Sequence, residues 1–379
     1  MDTCDVLIVG GGPAGSSCAW GLAGAGLEVR VVDRKSFPRD KVCAGWITPQ
    51  VVESLQLDLE DYARENVCQP ITGFRTGMIG GHEVENRYDH PVSYGIRRCE
   101  FDNYLRERTP ARHETWTIES LEHSAEGWTV NGSLRTKLLI GAGGHFCPVA
   151  RLLGARTSDA RLVVAAQEIE FAATVEQLAA GSVEAAVPEL YFCPDLAGYG
   201  WCFRKGPFLN IGLGRTDREQ LGAHVEAFVS FLRDRGKIAG DLNGRFHGHA
   251  YQLYERTVPK LIDDQVLLIG DAAGLAYPQS GEGIRPAVES GLLAARTIHN
   301  AAGRYERALL QPYSDALTSR LGTPRTTAAS NWLPASWLQF VAARLMASRR
   351  FARRVVIENW FLHMHEPALA AERAATSAV

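Results

Sequence analysis

The feature that most constrains the fold is the glycine run GGGPAG at 10–15, which follows the apolar run DVLIVG at 5–10. An apolar, β-branched run that ends in glycine is typical of a buried parallel strand. The sequence then predicts a helix over 13–26 and a second strand, EVRVVD, at 28–33. Strand, turn, helix and strand within about 30 residues make a βαβ unit. An α/β fold is therefore expected.

This glycine run matches the G-x-G-x-x-G pattern of dinucleotide-binding turns. Its first glycine permits a tight turn, its second lets the backbone approach a pyrophosphate, and its third lets helix and strand pack closely. The helix N-terminus is expected to face the diphosphate, and the acid that ends the second strand to accept from ribose hydroxyls. A purely structural glycine turn is the alternative. The predicted dinucleotide-binding residues are Gly10, Gly12, Pro13, Ala14, Gly15, Asp33 and Arg34.

A second glycine-rich segment, GDAAGLAYPQSGEGIRPAVESG, lies at 270–291 and follows the apolar run QVLLIG. Its aspartate stands directly after a predicted buried strand, where a carboxylate suits the ribityl hydroxyls of a flavin. The helix that follows would direct its N–H groups at the ring and stabilise the negative charge of reduced flavin. A plain strand-to-helix turn is the alternative. The predicted cofactor-binding residues here are Gly270, Asp271, Pro278, Gly281, Gly283 and Ile284.

With RRCEFD at 97–102 between these two motifs, the chain resembles flavoproteins of the p-hydroxybenzoate hydroxylase fold, and especially their geranylgeranyl reductase-like branch. The resemblance implies a Rossmann-type FAD-binding domain with an inserted antiparallel-sheet substrate domain and a helical C-terminal tail. It also implies that Arg98 and Asp102 support FAD, whereas a capping or surface arginine is the alternative. One departure is Gly143, which stands where the family has an aspartate.

The same resemblance, together with a change of strand pattern after residue 160, divides the chain into three parts. The FAD-binding domain is expected to be discontinuous and to be interrupted by the substrate domain. The expected ranges are 1–75, 95–160 and 250–305 for the FAD-binding domain, 76–94 and 161–249 for the substrate domain, and 306–379 for the helical C-terminal region.

The segment FPRDKVCAGWITP at 37–49 resembles the loop that carries a cysteine beside the flavin ring in reductases of this family. The resemblance places Cys43 next to the flavin, with Lys41 and Trp46 nearby, as candidate catalytic residues. A thiol there would protonate a substrate carbon or gate the site. A positive neighbour such as Lys41 would favour the thiolate. A buried free cysteine is the alternative.

The segment GYGWCFRKG at 198–206 is similar to the YxWxFP segment that lines the prenyl pocket of geranylgeranyl reductases. Tyr199, Trp201 and Phe203 match it, and Arg204 replaces the proline. The same alternation is typical of any half-buried strand. We expect Arg204 and Lys205 either to meet an anionic head group or to be solvated.

Composition narrows the class of protein. With 40 basic and 43 acidic residues, the net charge of −3 argues against nucleic-acid binding. Scattered cysteines without a CxxC pair, no signal-peptide pattern and no long apolar run indicate a cytoplasmic protein. His247 and His249 lack the further ligands of a metal site. The Arg- and Trp-rich tail at 331–365 either lies on an anionic membrane surface or caps the core.

The sequence therefore predicts an FAD-dependent oxidoreductase, because flavin supplies redox chemistry that side chains lack. In the first hypothesis, hydride passes from the flavin to a carbon–carbon double bond of an apolar, isoprenoid-like substrate, and Cys43 or water protonates the other carbon. In the second, a monooxygenase hydroxylates an aromatic ring of a small molecule or of a partner protein through a C4a-hydroperoxide. A halogenase, or a flavin-binding protein without turnover, is a minor alternative. Without a second G-x-G-x-x-G motif, electrons are expected from transiently bound NAD(P)H or from another protein.

Overall fold

The computed structural model of the protein describes residues 1–155, 163–217, 219–254, 260–323 and 335–370. Parts of the predicted FAD-binding, substrate and C-terminal ranges lie outside these residues. The strands of the described residues fall into three sheets. In chain order they are β1 (Asp2–Val9), β2 (Val29–Asp33), β3 (Trp46–Ile47), β4 (Cys68–Ile71), β5 (Gly73–Met78), β6 (Glu83–Arg87), β7 (Ser93–Ile96), β8 (Arg112–Thr115), β9 (Leu121–Ser124), β10 (Gly127–Val130), β11 (Leu134–Gly141), β12 (Val163–Ala172), β13 (Glu189–Phe192), β14 (Gly198–Lys205), β15 (Phe208–Arg215), β16 (His247–Gln252), β17 (Ile262–Asp263) and β18 (Val266–Leu268).

Helices cover both faces of the first sheet and one face of the second, and they make up most of the C-terminal region. The α-helices are α1 (Pro13–Gly21), α2 (Pro49–Ser54), α3 (Leu59–Tyr62), α4 (Arg98–Glu107), α5 (Pro148–Leu152), α6 (Val175–Ala180), α7 (Leu221–Asp234), α8 (Ile284–Asn300), α9 (Arg307–Leu321), α10 (Ala335–Met346) and α11 (Arg349–Phe351). A π-helix, Ala352–Phe361, continues directly from α11. None of the described helices combines the length and the apolar character needed to cross a membrane.

The first sheet has eight strands, with β17-β18-β11-β1-β2-β8 as its main order and β10 and β9 attached beyond β11. Strand β1 pairs in parallel with β2 and β11, and β11 pairs in parallel with β18. Helices α1 and α8 pack against each other so closely that a Cβ at Gly291 would lie 2.4 Å from the carbonyl oxygen of Ala14. Glycine at this crossing brings the two glycine-rich turns, which precede α1 and α8, to one edge of the sheet.

The second sheet has seven strands in the order β16-β12-β15-β14-β13-β5-β6 and is antiparallel except where β13 pairs with β5. One face packs on α7 through an apolar cluster that includes Ile169, Cys202 and Phe228. The opposite face carries Trp201 and Phe203, which alternate with Cys202 along β14. A three-stranded sheet, β3-β7-β4, completes the strands.

The C-terminal segment closes over this second face. Val356, Ile357 and Phe361 of the π-helix are buried in the same cluster as Trp201 and Phe203. The buried guanidinium of Arg285, on α8, fixes the end of the segment because it donates to the carbonyl oxygens of His363 and Glu366, both at 3.1 Å. Within the described residues, the expected helical tail contains α9, α10, α11 and the π-helix, and the π-helix packs on the core.

Two predicted elements are shorter than expected. The helix expected over 13–26 ends at Gly21, since Gly24 and Gly26 adopt positive φ angles of 83° and 70°. The strand expected over 116–124 begins only at Leu121. The Asn131 side chain bonds the backbone of 117–120 instead, accepting from two N–H groups and donating to the Thr117 carbonyl.

Candidate active site

The first glycine-rich turn joins β1 to α1 and has no room for side chains at two positions. Gly10 has a φ of 121°, and a Cβ there would lie 2.3 Å from the Ala142 carbonyl oxygen. A Cβ at Gly15 would lie 1.9 Å from the carbonyl oxygen of Gly10. No side chain caps α1 at Gly12, and its first turn holds no acidic residue. The helix N-terminus is therefore suited to an anion such as a diphosphate.

An arginine that the sequence analysis missed lies over this turn. A Cβ at Gly12 would have the Arg39 guanidinium as its nearest neighbour, at 3.4 Å. Arg39 bridges two carboxylates, at 3.6 Å from Asp33 and 3.5 Å from Asp102. Asp33 also accepts from the Gly11 N–H at 3.0 Å, so it is held at the turn. The neighbouring Arg34 is exposed. Arg39 thus adds positive charge where the dinucleotide motif predicts a diphosphate.

Arg98 and Asp102, the pair implied by the family resemblance, form a buried bidentate ion pair on α4. The Arg98 Nε and Nη2 donate to the two Asp102 oxygens at 2.8 and 3.0 Å. Burial disfavours the charged guanidinium, but Asp102 and the Cys43 side chain more than offset it, and the pKa of Arg98 is raised. The alternative of a surface arginine is wrong, since Arg98 is only 9% exposed. Arg98 therefore connects the glycine turn to the predicted catalytic cysteine.

The second glycine-rich turn contains a half-buried carboxylate, Asp271. A Cβ at Gly281, whose φ is 67°, would lie 2.2 Å from the Tyr251 hydroxyl, and one at Gly283 would lie 3.2 Å from Asp271. Pro278 is half-buried beside this turn. Gly283 then caps α8, which begins at the buried Ile284, without a side-chain capping bond from Gly283. The glycines resemble those of the first turn, but at this helix start the Glu282 carboxylate accepts from the Arg285 N–H at 2.9 Å.

Lys41 and His249 face Asp271. The Lys41 Nζ lies 2.6 Å from His249 Nε2, which in turn lies 3.6 Å from the Asp271 carboxylate. Burial lowers the pKa of Lys41 to about 8, although Asp271 opposes the shift. Burial and Lys41 also lower the pKa of His249, so the imidazole is neutral at neutral pH. From the sequence, His249 was considered only as a metal ligand, and its contact with Lys41 was not predicted. Within the described residues no cluster suited to a metal ion occurs.

Cys43 is fixed to the seven-stranded sheet through its own backbone. Its N–H donates to the carboxylate of Glu168, and its carbonyl accepts from Asn210 Nδ2 at 3.1 Å. The Cys43 sulfur accepts from the Gly45 N–H at 3.4 Å. Glu168 and Asn210 belong to β12 and β15, and neither was recognised as a site residue from the sequence. The loop that carries the thiol is thus held by side chains of the seven-stranded sheet.

Lys205 provides a further anchor and corrects an expectation. Its side chain is 1% exposed and forms an ion pair with Glu170. Its Nζ donates to the carbonyls of Ala44 and Ile96 at 3.0 and 2.9 Å. Lys205 therefore neither meets a head group nor is solvated, because all its donors are used inside the protein. Arg204, in contrast, is only half-buried.

The predicted substrate-binding aromatics lie with Trp46 in one apolar cluster. Trp46 stacks on Phe203 with ring centroids 5.2 Å apart and contacts Phe361 at 5.9 Å. Tyr199 contacts Phe361 at 5.2 Å, and its hydroxyl donates to the Ser280 carbonyl in the second glycine-rich turn. The Trp46 indole N–H is buried and has no hydrogen-bond partner among the described residues. Such a donor is suited to a bound molecule.

These features together fit FAD. Two helix starts that follow glycine-rich turns converge at one sheet edge, with an arginine over the first and a carboxylate beside the second. Asp33 lies where an adenosine ribose would be bound, and Asp271 where ribityl hydroxyls would be. The loop over 41–46 approaches the second turn through the contact of Lys41 with His249, interacts with Arg98 through Cys43, and ends at the aromatic cluster.

Comparison with known proteins agrees with this geometry. The family described as FAD binding domain matches residues 3–320. The menaquinone reductase of Mycobacterium tuberculosis is 31% identical over 319 residues, covering 78% of this chain and 77% of the relative. The geranylgeranyl diphosphate reductase of Rhodobacter capsulatus is 30% identical over 308 residues, covering 77% and 74%.

A solved structure shares the whole fold. The geranylgeranyl bacteriochlorophyll reductase-like protein of Thermoplasma acidophilum superposes with a TM-score of 0.73 and 19% identity, covering 99% of this chain and 94% of that one. At this identity the likeness concerns the fold, whereas the family match and the sequence relatives establish the class of protein. The chain belongs to the FAD-binding-domain family, as a geranylgeranyl reductase-like, FAD-dependent oxidoreductase.

Proposed function

We propose that this protein reduces carbon–carbon double bonds of an isoprenoid substrate. The observation that carries the proposal is the position of the loop over 41–46. Its Lys41 contacts His249, which lies 3.6 Å from Asp271 of the second glycine-rich turn. Its Cys43 interacts with Arg98, and the loop ends at Trp46 in the aromatic cluster. Bound FAD supplies the hydride, which is chemistry that side chains lack. The chain's own residues then have to hold an apolar substrate, exclude water and deliver one proton to carbon.

The aromatic cluster suits the first two tasks. Trp46, Trp201 and Phe203 are all at most 5% exposed, and the π-helix covers them through Phe361. An apolar enclosure of this kind favours a hydrocarbon chain by removing its surface from water. The Trp201 indole donates to Asn210 at 2.7 Å, which fixes the ring next to the Cys43 loop.

The proton is assigned to Cys43. When the thiol gives its proton to a substrate carbon, the electron pair of the S–H bond remains on sulfur as a thiolate. The buried Arg98 guanidinium, which interacts with the Cys43 side chain, stabilises that negative charge. Lys41, the positive neighbour expected from the sequence, contacts His249 and is the second cation of this region.

The names of the relatives support the substrate class. One is a geranylgeranyl diphosphate reductase, and the solved neighbour is described as geranylgeranyl bacteriochlorophyll reductase-like. The sequence similarity to the first covers 77% of this chain. For the electrons, we propose NAD(P)H bound transiently in the same cleft, or a protein donor.

We further propose a peripheral contact with anionic membranes through α10. Trp337 and Phe340 are 52% and 63% exposed, and Leu345 is 41% exposed. Exposed arginines surround this apolar surface: Arg344, Arg349, Arg350 and Arg354. An apolar face bordered by arginine is complementary to an anionic lipid surface.

The test is anaerobic turnover. FAD-loaded enzyme reduced with dithionite is incubated with geranylgeranyl diphosphate, and the product is analysed by mass spectrometry. The proposal predicts a gain of two hydrogen atoms for each double bond reduced, with no oxygen present. If product forms only when oxygen is admitted, and carries a hydroxyl group, the reductase assignment is wrong and the monooxygenase hypothesis takes its place.

A further inference from the structure

Glu168 contacts the predicted catalytic loop from β12, the second strand from one edge of the seven-stranded sheet. It is 7% exposed, and its carboxylate accepts a hydrogen bond from the N–H of Cys43. Burial patterns put Glu168, Ala166 and Glu170 on the face of β12 that looks toward Trp201, while Ile169 points to α7. The carboxyl group therefore contacts the backbone of the residue that carries the thiol.

Glu170, two residues further along β12, is a carboxylate with a structural role and serves as a comparison for Glu168. It pairs with Lys205, with Arg97 at 3.0 Å, and with the amide of Asn210 at 3.1 Å. Although burial alone would raise its pKa, Lys205 and the other partners lower it. Glu170 is thus a charged carboxylate whose partners satisfy it.

Glu168 differs because it has no ion pair among the described residues. Burial raises its pKa to about 8, and the neighbouring Glu170 adds to the shift, whereas Lys205, the Cys43 N–H and Arg98 oppose it. The group facing it from β16 is its cross-strand neighbour, the exposed His247. A buried carboxylic acid that stays neutral near pH 7 is able to supply a proton.

We propose that Glu168 is the residue that returns a proton to Cys43 after each reduction, an inference that rests on the function proposed above. Once the thiol proton has gone to the substrate carbon, the O–H bond of Glu168 breaks and a new S–H bond forms on the thiolate. The resulting carboxylate is then reprotonated by water. No external oxidant or reductant takes part, since only protons move. Glu168 acts through Cys43 and does not itself contact the reacting carbons.

If Glu168 returns the proton, its loss should slow the later turnovers but not the first one. A Glu168→Gln variant keeps an oxygen that accepts the Cys43 N–H but has no acidic proton. In FAD-loaded, reduced enzyme the first turnover is expected to stay within about twofold of wild type, while steady-state kcat falls about 10²-fold, a typical loss for acid–base catalysis. The fall in wild-type kcat as pH rises through about 8 is expected to disappear in the variant. Glu122→Gln, a substitution at an exposed glutamate on β9, is the control.

The possible results distinguish the role of Glu168 from the proposed reductase function. Wild-type kcat and pH profile in Glu168→Gln would overturn the inference while leaving the reductase function intact. A wild-type enzyme that reduces no double bond would overturn the proposed function itself. If Glu168→Gln does not bind FAD, infrared spectroscopy of the wild type replaces it. A carbonyl band of a protonated carboxylic acid at neutral pH that vanishes above pH 9 supports the inference, and its absence at neutral pH contradicts it.

Discussion

Asn210 offers the sharpest test of how the sheet holds the catalytic loop. Its fully buried amide accepts from the Trp201 indole at 2.7 Å and donates to the Cys43 carbonyl and to Glu170, both at 3.1 Å. Asn210→Ala leaves the indole N–H and the Cys43 carbonyl without their partner. Each buried orphan costs about 1–3 kcal/mol, so the variant is expected to lose about 2–6 kcal/mol of unfolding free energy. That is a large share of the stability of a typical domain, which is about 5–15 kcal/mol.

The assay is urea denaturation of the FAD-loaded enzyme, with the thiol reactivity of Cys43 as a second readout. Asn86→Ala is the matched control, because Asn86 is equally buried but its amide nitrogen has no partner among the described residues. Reactivity of Cys43 is obtained by subtracting the rate measured in a Cys43→Ser background, and it is expected to rise in Asn210→Ala. If the two asparagine variants lose the same free energy and the thiol reacts at its wild-type rate, the bonds described here do not hold the loop.

Three further predictions concern the thiol, the lysine and the tail. Cys43→Ser is expected to retain FAD absorbance but to slow product formation about 10²-fold or more in single turnovers, and an unchanged rate would remove the thiol from the mechanism. Lys41→Met is expected to stabilise the apoprotein at pH 7. Burial lowers the Lys41 pKa from 10.5 to about 8, so the unfolded chain holds this proton more tightly. Wild-type stability should therefore rise by up to about 3 kcal/mol between pH 8 and 10.5, a rise that thermal melts should not find in the variant. Replacing Trp337 and Phe340 by serine should weaken sedimentation with phosphatidylglycerol vesicles, while Val175→Ser, at another exposed apolar residue, should not; equal binding by both would exclude α10 as the contact.

The sequence was sufficient to predict those parts of the site whose residues lie in one contiguous segment. The turn from Gly10 to Gly15, the acid at the end of β2 and the start of α8 all lie where the glycine spacing predicts them. Such turns can be recognised in a sequence because the need for glycine, where a Cβ has no room, is a local requirement. The Arg98–Asp102 pair was implied by the family resemblance of the segment RRCEFD, and its members form an ion pair four residues apart on one helix.

Contacts between distant segments were not predictable in this way. Glu168, Asn210 and His249 are 125, 167 and 208 positions from the loop residues that they bond. Each is one polar residue in a strand, and no spacing distinguishes it from a solvated neighbour. Lys205 shows the converse error: it was expected either to meet an anionic head group or to be solvated, yet a Cβ at Gly45 would lie 2.6 Å from its Nζ. Only the folded chain reveals that two glycines of the loop and of β7 leave room for this side chain.

The closure of the aromatic cluster by Phe361 has a consequence for biosynthesis. Trp46 and Phe361 are 5.9 Å apart in space but lie near opposite ends of the chain. Before the ribosome has translated residues 352–361, the first glycine turn and the whole second sheet already exist as polypeptide, but the wall formed by the π-helix does not. The nascent chain therefore lacks the cover over Trp201 and Phe203 until this segment has been made.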